Sequence, residues 1–407
     1  MRLAYQYRLR PTKQQIATFE HWLELCRRQY NYRLAERFNW WEQNRCDIDR
    51  CSIISCGIAP LKDKPDYYSQ KRDLTNTKAL FADYKELPSH TLQDVIARVE
   101  KTFDRWLKGD FKSGCPRFKS KGRYRSLLFP DPIKPEHIQG KFIQLPKIGK
   151  VKMILHRPIP DGFKIKTATI THKVDGWYIS LSLEDVTVPN LKTDVIPAID
   201  NTVGIDMGLK SFLVTSENQE VQIPQHYRKA YKRLKRLQRQ LSRKKKGSKR
   251  RAKAIKRVAK SHLKVANQRK DFHYKTAIWL INQSQASTER SRSVIAHENL
   301  NIKGLAKSML AKSFHDAGWG QFLQILNTKA VSAGCLVVAV NPRGTSQECS
   351  DCGATVPKTL SDRWHNCLCG ASYDRDHNAA RNIKHRAAGH PVLLKAREMS
   401  NPLGGVT

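Results

Sequence analysis

Residues 203–210 read Val203-Gly204-Ile205-Asp206-Met207-Gly208-Leu209-Lys210, a short apolar run that ends on a carboxylate and turns at once on glycine. Runs of this kind, bounded by turn residues, predict buried strands. Residues 212–215 and 220–223 continue the pattern as a hairpin and a third strand. Strand patterns return at 294–296 and 336–340, with Phe322, Ile325, Leu326 and Ala330 at helical spacing between them. Strands alternating with helices predict an α/β sheet flanked by helices. The run 336–340, apolar on both faces, predicts a buried central strand of that sheet.

Upstream the pattern changes. Leu3, Tyr5, Tyr7 and Leu9 alternate with Gln6, Arg8 and Arg10, a half-buried strand with a basic outer face that Pro11 ends. Thr12 and Gln15 spell a capping box, and Ile16, Phe19, Trp22, Leu23, Cys26 and Tyr30 follow at helical spacing. A second helix carries Leu92, Val95, Ile96, Val99, Phe103, Trp106 and Leu107, with Gly109 and Gly114 after it. Residues 138–185 become strand-like, with Asp175-Gly176 as a hairpin turn before Trp177, Ile179, Leu181 and Leu183. The opening strand has no local partner, so it is expected to pair with these later strands, the helical block being inserted between them. Pro189 and Pro197 mark residues 186–202 as a linker, and the glycines and prolines from 387 onward predict a poorly ordered tail.

The chain has 407 residues, 40% of them hydrophobic, and its 74 Lys and Arg outnumber 36 Asp and Glu for a net charge of +38. The apolar content excludes a disordered basic tail, and the length predicts two or three domains. Such a charge calls for a polyanion, nucleic acid before an anionic membrane. No signal peptide opens the sequence and no apolar run is long enough to span a bilayer, which places the protein in the cytosol. Between 228 and 270 stand 21 Lys and Arg and no acid, on two helical patterns separated by Gly247. A solvated face is the usual reading of a charge run. Here no local acid neutralises it, so Lys232, Arg233, Lys235, Arg236, Arg239, Arg243, Lys244, Lys245 and Lys246 are candidates for phosphate contacts. Arg117-Phe118-Lys119 and Arg123-Tyr124-Arg125 interleave rings with cations, which suits stacking on bases as well as it suits buried rings beside solvated cations.

Ten cysteines are too few for a disulfide scaffold, and four of them crowd into Cys349-Ser350-Asp351-Cys352 and Cys367-Leu368-Cys369. Four thiolates suit a closed, structural zinc site. The second pair is one residue shorter than a usual knuckle, which leaves His365 as an alternative ligand. A closed site performs no chemistry, so candidates lie elsewhere: Asp206, Glu298 in Val294-Ile295-Ala296-His297-Glu298, and Asp376 in Asp374-Arg375-Asp376-His377-Asn378-Ala379-Ala380. Each stands at a strand end or helix start, and in an α/β sheet such ends can converge. Converging carboxylates repel unless cations join them, and two magnesium ions held so would hydrolyse a phosphodiester by the two-metal route. Taken singly, each acid reads more simply as a solvated carboxylate or helix cap.

Together these motifs, with Asp316-Ala317-Gly318-Trp319-Gly320 and His297-Glu298-Asn299-Leu300, resemble the TnpB family of transposon-encoded RNA-guided nucleases, relatives of the compact type V CRISPR effectors. The resemblance implies an RNase H-like (RuvC) nuclease domain with an inserted zinc ribbon, and a wedge β-barrel interrupted by a helical recognition lobe. Its implied divisions are the wedge at 1–11 and 113–190, the recognition lobe at 12–112, the nuclease domain at 191–345 and 372–386, the target-binding ribbon at 346–371, and a tail at 387–407. It makes Asp206, Glu298 and Asp376 the catalytic, magnesium-binding acids. Cys349, Cys352, Cys367 and Cys369 become the zinc ligands. The implied partners are a guide RNA from the transposon end and double-stranded target DNA flanked by a short motif, with no membrane and no small-molecule substrate; one chain on one RNA is the expected assembly. The rival readings are an RNA-guided repressor that does not cut and a transposase that joins strands itself. Residues 46–66 show no motif that matches the family, so no residue is assigned to the flanking DNA motif.

Overall fold

The computed structural model describes residues 2–44, 63–109, 114–187, 195–286, 294–359 and 361–389. The chain divides into two compact units, residues 1–190 and 191–407. In the first, β1 (Arg2–Arg10) leads into the 32-residue helix α1 (Lys13–Asn44), then α2 (Tyr67–Arg72), α3 (Leu74–Leu80) and α4 (Ser89–Leu107). Six strands follow: β2 (Ser126–Phe129), β3 (Ile138–Gln139), β4 (Phe142–Leu145), β5 (Gly149–Ile154), β6 (Lys164–Lys173) and β7 (Gly176–Glu184). The Thr12–Gln15 capping box is made in both directions, at 3.0 and 3.2 Å.

The opening strand does lie among the later ones, between β5 and β7 in an antiparallel sheet ordered β2-β6-β7-β1-β5-β4-β3. Alternation explains the choice: Tyr7 and Leu9 join Ile179, Leu181 and Leu183 in the core, while Gln6, Arg8 and Arg10 face water. The barrel expected from the sequence is a half-barrel, since β2 and β3 each have a free edge among the described residues. The hairpin turn falls one residue early, at Val174-Asp175, because Gly176 already pairs with Lys173. Tyr124 packs beside Tyr30 in the core and is unavailable for base stacking, whereas Phe118 is 56% exposed. Cys26 is buried and Cys115 exposed. Cys46, Cys51 and Cys56 lie outside the described residues.

The second unit is built on β8 (Thr202–Asp206), β9 (Ser211–Thr215), β10 (Glu220–Gln222), β11 (Val294–Glu298) and β12 (Leu336–Val340), in the order β10-β9-β8-β11-β12. The first three pair antiparallel; β8, β11 and β12 run parallel. Parallel strands need crossovers. The first is the pair of basic helices α5 (His226–Ser242) and α6 (Lys249–Ala286), and the second is α7 (Ile302–Leu305), α8 (Ala311–Ala317) and α9 (Trp319–Ser332). The chain closes with a two-stranded ribbon, β13 (Trp364–Asn366) and β14 (Ser372–Asp374), and α10 (Arg375–Ala388). Helices α6 and α9 fill one face of the sheet through Ala277, Leu280, Phe322 and Leu326. Helix α10 covers the other, Ile383 packing on Ala296 and Val340.

One expectation fails here: β12 is the edge strand, and β8 is the central one. Apolar residues on both faces of β12 reflect helices above and below, Val337 toward α9 and Val338 toward α10, which says nothing of neighbours in the plane of the sheet. Ala387 and Ala388 still belong to α10, and residues 390–407 of the expected tail lie outside the described residues. No helix among the described residues is long and apolar enough to cross a membrane.

His273 is fully buried in α6 and stacks on Phe212. Its Nε2 lies 2.8 Å from the Ala317 carbonyl oxygen, so that nitrogen carries the proton and donates. Burial pushes the ring's pKa down from 6.5 to about 4. Between those values the unfolded chain binds a proton that the folded one refuses, so stability is lost as pH is lowered through this window, by about 3 kcal/mol from this residue. The urea midpoint of wild type is therefore expected to drop more steeply from pH 7 to 4.5 than that of His273→Phe, and parallel slopes would contradict the assignment.

Candidate catalytic site and nucleic-acid interface

The register of the parallel strands sets Ala296 beside Gly204 and His297 beside Ile205, so the next residues along, Glu298 and Asp206, are neighbours at the strand ends. Side chains two apart share a face. Gly204 faces α10: a Cβ there would lie 2.1 Å from the Ala380 carbonyl oxygen and 2.7 Å from the Lys384 nitrogen. Asp206 therefore points to the α10 side, and α10 presents Asp376 in its first turn, where Asp374 caps the helix by accepting from the Asp376 N–H at 2.9 Å. Glycine at 204 is what lets the helix backbone rest on the strand.

The acids disfavour one another's charge. Burial holds the Asp206 carboxyl well above the ordinary carboxylate range, and the charges of Glu298 and Asp376 raise it further. Burial also raises Glu298, against the Thr345 hydroxyl that donates to it and the nearby Arg386. Asp376 is raised by burial and by Asp374, and lowered by Arg363, Lys210 and Arg375. All three remain partly exposed, so a cation has access. The trio does not gather three donor oxygens as closely as the cysteine cluster gathers its sulfurs, which are the one set of three or more donors within 4.8 Å of one another among the described residues.

That cluster is Cys349, Cys352, Cys367 and Cys369. Its Cys349–Cys369 and Cys352–Cys367 sulfur separations are 3.7 and 3.5 Å, too long for disulfides and close to the edge of about 3.8 Å of a tetrahedron with zinc–sulfur bonds of about 2.3 Å. The donor set fits zinc despite the short second pair. His365 is not a member: it is buried on β13, with Nδ1 against the Lys358 ammonium. The cluster is tied to the acids. Asn378 on α10 accepts from the Ser350 N–H and donates to the Glu348 carbonyl, Asn382 donates to the Thr345 and Glu348 carbonyls, and Arg381 pairs with Asp351 at 2.8 Å. Metal removal is thus expected to loosen residues 345–383 as a block, read as faster amide exchange there than in β5–β7, with about one zinc released per chain in a mercurial titration. Unchanged exchange after zinc loss would separate the ribbon from the acids.

Lys232, Arg233, Lys235, Arg236, Arg239, Arg243, Lys244, Lys245 and Lys246 are all exposed on α5 and the turn after it, and none is in an ion pair among the described residues. Arg117, Arg123 and Arg125 are exposed as well. Lys119 is half-buried, its backbone carbonyl held by Arg27 and Asn31 of α1. Asp316 reaches across to accept from the Tyr227 and Arg228 N–H groups at 2.8 and 3.1 Å, capping α5 from outside.

Residues 170–309 match the family model described as a probable transposase of the OrfB/IS605 type, 319–383 the Cas12f1-like TNB domain, and 1–46 the OrfB/IS605 helix-turn-helix domain. Two of these matches, over residues 1–46 and 170–309, are to models of the OrfB/IS605 (TnpB) family. Among the relatives, a Streptomyces pristinaespiralis protein named "Putative RNA-guided DNA endonuclease" is 29% identical, the alignment covering 93% of this chain and 88% of that one. The Escherichia coli K12 protein "Putative RNA-guided DNA endonuclease InsQ" is also 29% identical, over 96% and 93%. In fold the chain is similar to Cas12f1 from a complex with sgRNA and target DNA, with a TM-score of 0.56 and 16% identity over 92% of this chain and 83% of that one. It is similar too to the mini-RNA-guided endonuclease CRISPR-Cas phi3, with a TM-score of 0.54 and 11% identity over 96% and 93%. Within the helix-turn-helix match, residues 2–44 are one strand and one helix, with residues 11 and 12 between them.

Several residues of this site were not singled out by sequence. Thr345 carried no signal. Asn378 and Asn382 did: two asparagines four apart inside a helix, where asparagine is a poor helix former, mark a face with something to bind.

Proposed function

We propose that this chain is an RNA-guided DNA endonuclease of a transposon, with Asp206, Glu298 and Asp376 as one magnesium-dependent cutting centre on an RNase H-like (RuvC) domain. The observation that carries the reading is that Glu298, at the end of β11, and Asp376, in the first turn of α10, both raise the carboxyl of Asp206 at the end of β8 by their charge, all three being partly exposed. Nothing in a stable fold calls for such a cluster; a divalent cation would neutralise it. Two bound magnesium ions would supply an activated water and charge stabilisation at the leaving oxygen. The chain's own residues then have distinct duties: Asp206 and Glu298 offer oxygens from adjacent strands, Thr345 orients Glu298, and the Asp374 cap fixes Asp376. The exposed cations of α5 and α6 suit a guide RNA, whose phosphates account for a charge of +38 that a DNA duplex alone hardly requires. Base pairing would then read the target sequence while the protein reads heteroduplex shape. On this reading residues 1–11 and 113–190 form the wedge, 12–112 the recognition lobe, 191–345 and 372–386 the nuclease domain and 346–371 the target-binding ribbon, acting where the cell keeps its DNA and its thiols reduced.

Gel shift separates this from the strand-joining transposase. The RNA-loaded protein is expected to retain duplex matching its guide, and the RNA-free protein to show no preference for transposon-end DNA over random duplex. Specific end binding without RNA would overturn the proposal.

A further inference from the structure

Three cations from three separate elements line a groove of about 340 Å³: Lys210 from the turn after β8, Arg228 from the first turn of α5, and Arg363 from the ribbon. None of the three is in an ion pair among the described residues. The one acid on the groove wall, Asp316, has both oxygens occupied by the N–H groups of Tyr227 and Arg228. The same contacts fix the backbone that carries Arg228, and its guanidinium is aimed by a 2.6 Å hydrogen bond to the Ser313 hydroxyl. Three cations on one groove, none held in an ion pair among the described residues and one of them aimed by a hydrogen bond, suit an anion. Lys210 and Arg363 also lower the Asp376 carboxyl by their charge, which sets the groove next to the acids.

We propose that Lys210, Arg228 and Arg363 cradle one phosphate of the DNA strand being cut, a phosphate neighbouring the one presented to the three carboxylates. The inference rests on the nuclease reading and adds the residues that set the strand's register in the site. Its logic is positional: carboxylates repel a polyanion, so a strand entering their reach needs a fixed cationic hold within a nucleotide or so.

The test is a methylphosphonate scan, in which each phosphate near the cut is made neutral in turn, on the RNA-loaded full chain. One position is expected to slow wild type roughly tenfold or more, the scale of a lost charge-assisted contact. Arg228→Gln and Arg363→Gln should slow the native strand by a similar factor and lose no more at that position, and Arg228→Lys should recover part of the loss. Lys245→Gln, on the exposed turn after α5, should weaken binding without any position dependence. The same strands are also followed by fluorescence anisotropy without divalent metal, so that holding is read apart from cutting. If wild type cuts nothing but the coupling persists in binding, the nuclease reading falls and the cradle stands. Strictly multiplicative losses in both readouts overturn the cradle whether or not the protein cuts, and an equal coupling on an RNA strand of the same sequence overturns its assignment to DNA.

Discussion

Asp206→Asn is expected to leave guide RNA loading and binding of matched DNA within about twofold of wild type, while cutting slows by about 10³-fold or more. Asparagine keeps the size and one acceptor oxygen but removes the charge on which cation binding at the strand end depends. Metal stabilisation of a phosphoryl transition state is worth several kcal/mol, and each 1.4 kcal/mol is about one decade in rate, so three decades is a conservative loss. A second readout distinguishes this from misfolding. Burial and two like neighbours disfavour the charge of the wild-type carboxylate, a cost that asparagine does not carry, so the metal-free variant should melt above metal-free wild type. A variant that melts lower and cuts poorly would mean that Asp206 acts through the fold.

Gly204→Val acts through packing instead. The added side chain would meet the Ala380 carbonyl oxygen and the Lys384 nitrogen, both backbone atoms of α10 that no rotamer can move aside. Overpacking a core costs about 1–3 kcal/mol when side chains can yield. With only backbone to displace, the expected cost is at least about 3 kcal/mol, or expulsion of α10 from the sheet. Expulsion removes Asp376 from Asp206 and frees Asn378 and Asn382 from the ribbon. Thermal melting and proteolysis should therefore report the loss together, with cutting abolished and the 1–190 unit intact. A stable variant that cuts at the wild-type rate would show that α10 does not rest on β8 as described.

Sequence made the strand-ending acids legible because buried parallel strands are nearly uniform apolar runs, and a carboxylate closing one stands out against Val203, Ile205, Ile295 and Ala296. The cysteine pairs were equally plain. Strand position within the sheet was less so: apolar content reports cover above and below, and β12 has both without a neighbour on its outer edge among the described residues. Tyr124 and Phe118 look alike in sequence, yet only Phe118 is exposed; each meets a ring of α1, Tyr30 and Phe38, eighty or more residues earlier, a contact that local pattern does not report. The anchoring of α10 to the ribbon and the capping of α5 by Asp316 are long-range contacts between polar groups, for which periodicity has no signature.

The most direct test of the central claim is plasmid cutting by wild type co-purified with RNA from its transposon end, on matched and mismatched plasmid, with magnesium or with chelator. Linear product is expected from the matched plasmid with magnesium alone. Cutting that ignores the match would break the link to the guide, and tight, RNA-dependent binding of matched DNA without a cut under any divalent metal would contradict the assignment of Asp206, Glu298 and Asp376 as a cutting centre.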